Sequence, residues 1–155
     1  MKVSISILSV ILSIIVLLIF GNASYAYDLL DKSAPLINAG YMGKEPAIDG
    51  SIDPDEWKEA SVTNVFYKHP TKTVMAKNPT AWIGYDDSNL YIAVECPYWS
   101  GRKAQGIKSD RDGKLWEDDA VEVFLDPKHN QVDSYQLVVN VENSISDALN
   151  RDNSW

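Results

Sequence analysis

The segment Trp116-Glu117-Asp118-Asp119-Ala120-Val121-Glu122 sets one large aromatic and four carboxylates within seven positions. An indole offers a flat apolar surface with a negative π-face, and carboxylates accept hydrogen bonds without donating any. This is recognition chemistry for a ligand with C–H groups on one face and hydroxyls around its rim. Val121 and Val123 alternate with Glu122, so in a strand the carboxylate points away from both valines. Gln136 and Asn140 flank Val138 in a second alternating segment, point together, and bring amide donors as well as acceptors. Trp116, Glu122, Gln136 and Asn140 therefore form a geometrically coherent set. Trp99, which follows Pro97-Tyr98, is a candidate second aromatic platform. Blander roles suit the same residues: a rim-covering Trp116, a solvated acidic rim, and a polar outer sheet face.

Other chemistries find less support. Asp118 and Glu122 could pair for glycoside hydrolysis, but nothing in their surroundings marks either as the general acid. Asp110-Arg111-Asp112-Gly113 is like the middle of a calcium loop, yet Lys108 stands where the first acidic ligand belongs. Structural calcium could instead be held by Asp49, Asp53, Asp55 or the Asp118–Asp119 pair, and no cofactor is assigned. His69 and His129 are the two histidines and lack neighbouring Cys or His, which argues against zinc. Neither a phosphate-cradling Gly-rich loop nor a Gly-x-Ser-x-Gly elbow is present. Cys96 is the single cysteine, so an intrachain disulfide is excluded. Its neighbours Val94 and Pro97 suit a small buried hydrophobe at a strand end.

The chain has 155 residues and a net charge of −8, which suits one domain with a real core. Only Lys2 is charged among the first 26 residues, so the rest of the chain is one unit more acidic still. That field repels DNA, RNA and anionic membrane surfaces. Five Trp, eight Tyr and three Phe are too many for a disordered acidic tail.

The apolar run from Val3 to Phe20, with Lys2 before it and Ser24 and Ala26 after it, reads as a secretory signal peptide over 1–26. The run is also long enough to span a bilayer, so an uncleaved membrane anchor is the alternative. Either way the rest is expected outside the cytoplasm, secreted or periplasmic, with membrane contact only if the segment stays. Residues 27–36 read as a leader and 37–155 as the domain. Asp49-Gly50 marks a turn, and Asp53 with Pro54 predicts a capped helical turn that carries Trp57 into the core. Residues 81–85 and 90–95 predict a hairpin with a four-residue polar connection, Trp82 packing between sheets. Strands follow at 121–125, 135–141 and 144–148. Gly101–Leu115 reads as a long polar, basic surface loop. Short strands without a long amphipathic helix predict an all-β fold, an antiparallel β-sandwich.

Three stretches in order resemble the family 9 carbohydrate-binding modules and their DOMON-like relatives. They are IDGSIDPDEWKEA at 48–60, AWIGYDDSNLYIAVEC at 81–96, and LWEDDAVEVFLDP at 115–127 followed by YQLVVNVENSISDA at 135–148. The resemblance implies a jelly-roll or immunoglobulin-like β-sandwich that binds glucan- or xylan-type sugars without catalysis, alongside a glycoside hydrolase partner. It implies that Trp116 is one wall of the sugar site and that Glu122 accepts hydroxyl hydrogen bonds. Val138 stands where the family often has an Arg, and Arg102 or Arg111 could restore that donor. Family members also continue beyond the point where this sequence ends, so the module is expected to be partial, with an oligo- or polysaccharide as its partner. One aromatic wall implies weak binding, with Kd about 0.1–1 mM. The rival readings are a haem-binding DOMON-like cytochrome ligated by Met42 or Met75 with His69 or His129, a glycosidase, and a non-functional fragment.

Overall fold

The computed structural model describes residues 2–8, 37–68, 71, 73–98, 101–107, 111–130, 132–150 and 152. It divides into two compact units, Ser4–Glu95 and Cys96–Trp155 with Met1–Val3. The described residues are all-β with antiparallel sheets, as expected, and their one helical element is a single 3-10 turn.

The first unit is organised by one hairpin. Its strands in chain order are β1 Lys2–Leu8, β2 Gly40–Tyr41, β3 Ser61–Thr63, β4 Tyr67–Lys68, β5 Thr73–Val74, β6 Thr80–Tyr85 and β7 Asn89–Glu95. β6 and β7 pair antiparallel from Thr80↔Glu95 to Tyr85↔Leu90, and the sheet order is β1-β7-β6-β2 with β3 also on β6. β2 is the exception, running parallel to β6. β1 falls within the expected targeting segment; residues 9–26 of that segment and the leader 27–36 lie outside the described residues.

The hairpin connection explains its own sequence. Asp86 Oδ1 accepts the backbone N–H groups of Ser88 and Asn89, both at 2.7 Å, and Asp86 N–H donates to the Asn89 carbonyl at 3.0 Å. Its second oxygen accepts the Tyr91 hydroxyl at 2.6 Å, and Asn89 Nδ2 donates to that hydroxyl at 3.1 Å. One aspartate thus closes the turn and satisfies the polar end of a ring that is otherwise buried. The Tyr91 hydrogen bond, with backbone donors behind it, holds the Asp86 carboxyl below its usual pKa. Burial first, then the bond to Asp86, pushes Tyr91 up to about 12.

Tyr91 packs with Met42, Trp57, Ala60 and Ala93 in the core of this unit, with Ile52 and Trp82 against the cluster. Trp57 reaches it as expected: the Glu56 and Trp57 N–H groups bond to the Asp53 carbonyl at 3.1 Å, while Asp53 Oδ1 accepts Asp55 N–H at 2.8 Å. Truncating a buried ring of this kind costs about 3–5 kcal/mol. Gly84 is required by Met42, because a Cβ there would stand 2.2 Å from the Met42 sulfur. That thioether is therefore core packing, which removes one of the two methionines the cytochrome reading offers as a haem ligand.

The second unit holds β8 Ala120–Leu125, β9 Tyr135–Asn140 and β10 Ile145–Leu149, antiparallel in the order β10-β9-β8. The 3-10 turn Leu115–Glu117 packs against β8 and β9 and buries Leu115. His129 sits in the β8–β9 connection with a left-handed φ of 52°, a turn position. In the same connection Asp133 accepts Lys128 Nζ and Asn130 Nδ2, both at 2.9 Å, and these bonds, Lys128 foremost, hold its carboxyl down at about 2.

Tyr91→Phe should destabilise the chain by about 1–3 kcal/mol, since Asp86 loses a buried donor. The parent chain should also lose stability as pH rises from 10 to about 12. In that window the unfolded tyrosine ionises while the native one keeps its proton, and the variant should lack this component. Urea denaturation of both proteins between pH 8 and 12 checks the pair of outcomes.

Candidate functional site

The register of β8 on β9 decides which side chains meet. Glu122 lies opposite Val138, Phe124 opposite Gln136, and Ala120 opposite Asn140. Directly opposed residues share a face, so Glu122, Phe124, Gln136, Val138 and Asn140 all project from one side of the sheet. Gln136 Nε2 donates to Glu122 Oε2 at 3.1 Å. Gln136 thus supplies a neutral donor beside Glu122 where Val138 supplies none. Val138 itself is buried.

Asn140 is on that face but is not a surface group. It is 1% exposed, and its amide is occupied on both sides. Nδ2 donates to the Ile107 carbonyl at 3.0 Å and to Asp118 Oδ2 at 2.8 Å; Oδ1 accepts Glu142 N–H at 3.1 Å and Ser144 N–H at 2.8 Å. The expectation that Asn140 contacts ligand therefore gives way to a positioning role. It ties the β9–β10 turn to the residues that precede β8. Asp118 is used in the same way, since Oδ2 also accepts Ile107 N–H at 3.2 Å. Gly106 lets the loop approach: a Cβ there would stand 2.6 Å from Val141 Cγ1.

Trp116 is 53% exposed, on the 3-10 turn that packs against β8 and β9. Its buried neighbour Leu115 anchors that turn, which frees the indole face for solvent. Arg111 is placed elsewhere. It pairs with Asp147 on β10 and, at 3.8 Å, with Asp112. Asp147 lies opposite Leu137, on the other face from Glu122, so Arg111 does not restore the donor missing at Val138. Arg102 does not reach Glu122 either; its Nη2 lies 3.3 Å from Asp119 Oδ1. Trp99 and His69 lie outside the described residues.

Phe124 is the residue that sequence reasoning overlooked. It is 62% exposed, two positions from Glu122 on the same face and directly opposite Gln136. The signal was available, because the alternation that points Glu122 outward carries Phe124 with it. Phe124, Glu122 and Gln136 thus form a contiguous patch of one ring and two hydrogen-bonding groups.

No three His, Cys, Asp or Glu side chains converge as a metal set among the described residues. Three of the acids weighed for calcium have partners within the chain: Asp49 accepts Ser51 N–H, Asp53 accepts Asp55 N–H, and Asp119 Oδ2 accepts Gln105 N–H, each at 2.8 Å. Asp118 and Glu122 are each bonded to a different amide, Asn140 and Gln136.

Asn140→Ala should destabilise the chain by about 1–3 kcal/mol by leaving buried backbone donors unpaired. It should also loosen residues 105–107, read as faster amide exchange there than in β8.

The family model for the carbohydrate family 9 binding domain-like proteins matches residues 48–153, about two thirds of the chain. No curated protein and no solved structure matches it.

Proposed function

Because the chain belongs to the carbohydrate family 9 binding domain-like family, we propose that it binds sugar on the Glu122 face of its β8–β9 pair. The observation that carries this reading is the Phe124–Glu122–Gln136 patch, with Trp116 exposed on the helical turn before β8. A pyranose ring stacks its axial C–H groups on an aromatic face, while a carboxylate accepts from its equatorial hydroxyls. Gln136 holds Glu122 in one orientation, so the acceptor is pre-organised before ligand arrives. The ligands are glucan- or xylan-type oligo- or polysaccharides, and two exposed rings in place of one favour a chain over a single sugar. Asn140 and Asp118 act behind the surface, by holding the loop and helical turn in place.

The module is non-catalytic in this reading. Support comes from the family, whose described character is sugar binding. Export through the N-terminal segment and service to a glycoside hydrolase complete the proposal. Both fit an acidic domain that repels nucleic acid but not neutral glycans.

Trp116→Ala and Phe124→Ala should each weaken binding of a xylo- or cello-oligosaccharide at least about tenfold, with the melting midpoint unchanged. Glu122→Gln should lower affinity by a smaller factor, since one acceptor oxygen survives. Isothermal calorimetry on the four proteins checks this. Unchanged affinity in both aromatic variants would remove the site.

A further inference from the structure

A pocket of about 200 Å³ opens beside the start of β8, among Cys96, Tyr98, Arg102, Lys103, Asp119 and Ala120. Its charged walls are two cations, Arg102 and Lys103, and one carboxylate, Asp119, a local excess of positive charge in a chain whose net charge is −8. Arg102 spends one nitrogen on Asp119 at 3.3 Å, and the other N–H groups of its guanidinium are left to bond in a plane. Lys103 is exposed and has no carboxylate partner among the described residues. The segment that carries both cations is anchored, because Gln105 N–H donates to Asp119 Oδ2 at 2.8 Å and Asp119 N–H donates to the Gln105 carbonyl at 2.7 Å. Tyr98, about half exposed, adds a ring to the wall.

The pocket and the patch described above share strand β8. Ala120 lines it and lies two positions from Glu122 on the same face, roughly 7 Å along the strand. A glycan seated over Phe124 and Glu122 would bring its neighbouring unit to this pocket. Two cations on an anchored segment, one of them a planar fork, beside a phenol ring match a carboxylate carried on a sugar ring. A guanidinium binds such a carboxylate through two parallel N–H groups, and the ammonium adds charge without a fixed direction.

The geometry points to a subsite for an anionic sugar: the pocket of Tyr98, Arg102 and Lys103 takes the carboxylate of a uronic acid unit on the bound glycan. This rests on the reading of the Glu122 face as a sugar site, and it selects acidic glycans over neutral ones. The net charge of the chain opposes anions, so the preference comes from the cations at this pocket. It is therefore short-ranged and sensitive to salt, since the Debye length falls from about 10 Å at 0.1 M to about 3 Å at 1 M.

The test is calorimetry of the full chain with xylo-oligosaccharides of one length, carrying a glucuronosyl branch, its methyl ester, or no branch, and with glucuronate alone. The acid-branched oligosaccharide should bind at least about tenfold tighter than the ester or the neutral chain, about 1.4 kcal/mol, and the gain should shrink in 1 M salt. Lys103→Gln and Arg102→Gln should each cut that gain while neutral-chain affinity stays constant. Equal affinity for acid, ester and neutral chains would overturn the subsite and leave the sugar reading intact. Absence of binding to all of them would overturn both. Glucuronate binding as tightly as the branched oligosaccharide would overturn the link between pocket and patch.

Discussion

The side-chain amide of Asn140 is the joint on which the second unit depends. It is the last residue of β9, it is buried, and its two polar atoms make four hydrogen bonds to three separate stretches of chain. The oxygen closes the turn that lets β10 fold back on β9. The nitrogen holds the loop at Ile107 and the carboxylate of Asp118, one residue after the helical turn that presents Trp116. A buried amide with partners on both atoms is a stringent geometric constraint, because any displacement leaves several groups unsatisfied at once. Asn143 fits the same turn in a left-handed conformation, φ 60°, which Asn tolerates better than most residues.

The first unit uses the same device with a different residue. Asp86 closes a hairpin through two backbone N–H groups and takes up the hydroxyl of Tyr91, so a large ring enters the core with its polar end satisfied. In both units a short polar side chain at a strand end serves turn and packing together. The groups so used are spent within the fold, whereas Glu122, Trp116 and Phe124 stay exposed. Asp133 likewise serves the β8–β9 connection through Lys128, Asn130 and Asn150.

Much of the fold was legible in the sequence, with strand ends displaced by a residue or so. The hairpin at 81–95, the strands near 121, 135 and 145, and the core role of Trp57 follow from alternation and turn chemistry, which act over a few residues. β2 and β3 were not legible. They are two and three residues long, and they are strands because β6 offers them edges, not because of any pattern of their own. β4 and β5 are exposed two-residue strands that pair with each other, equally without a pattern of their own. That Glu122 points away from Val121 and Val123, and that Gln136 and Asn140 point together, was also readable from alternation; that all three share a face needed the register.

What stayed hidden was whether a polar side chain is spent or available. Gln136 and Asn140 are both amides on one strand and one face, and nothing in their spacing separates them. Tertiary structure gives Asn140 to the loop and leaves Gln136 to Glu122, because Asn140 stands at the strand end where residues 105–107 cross. Arg111 and Arg102 were equivalent candidates until the fold paired one with Asp147 and the other with Asp119. The sequence by itself determined the all-β class, the acidic character and the face that carries Glu122, because periodicity and charge are local properties. Only the tertiary structure decided which carboxylates and amides remain free to meet a ligand, because hydrogen-bond partners here come from residues 14 to 36 positions away.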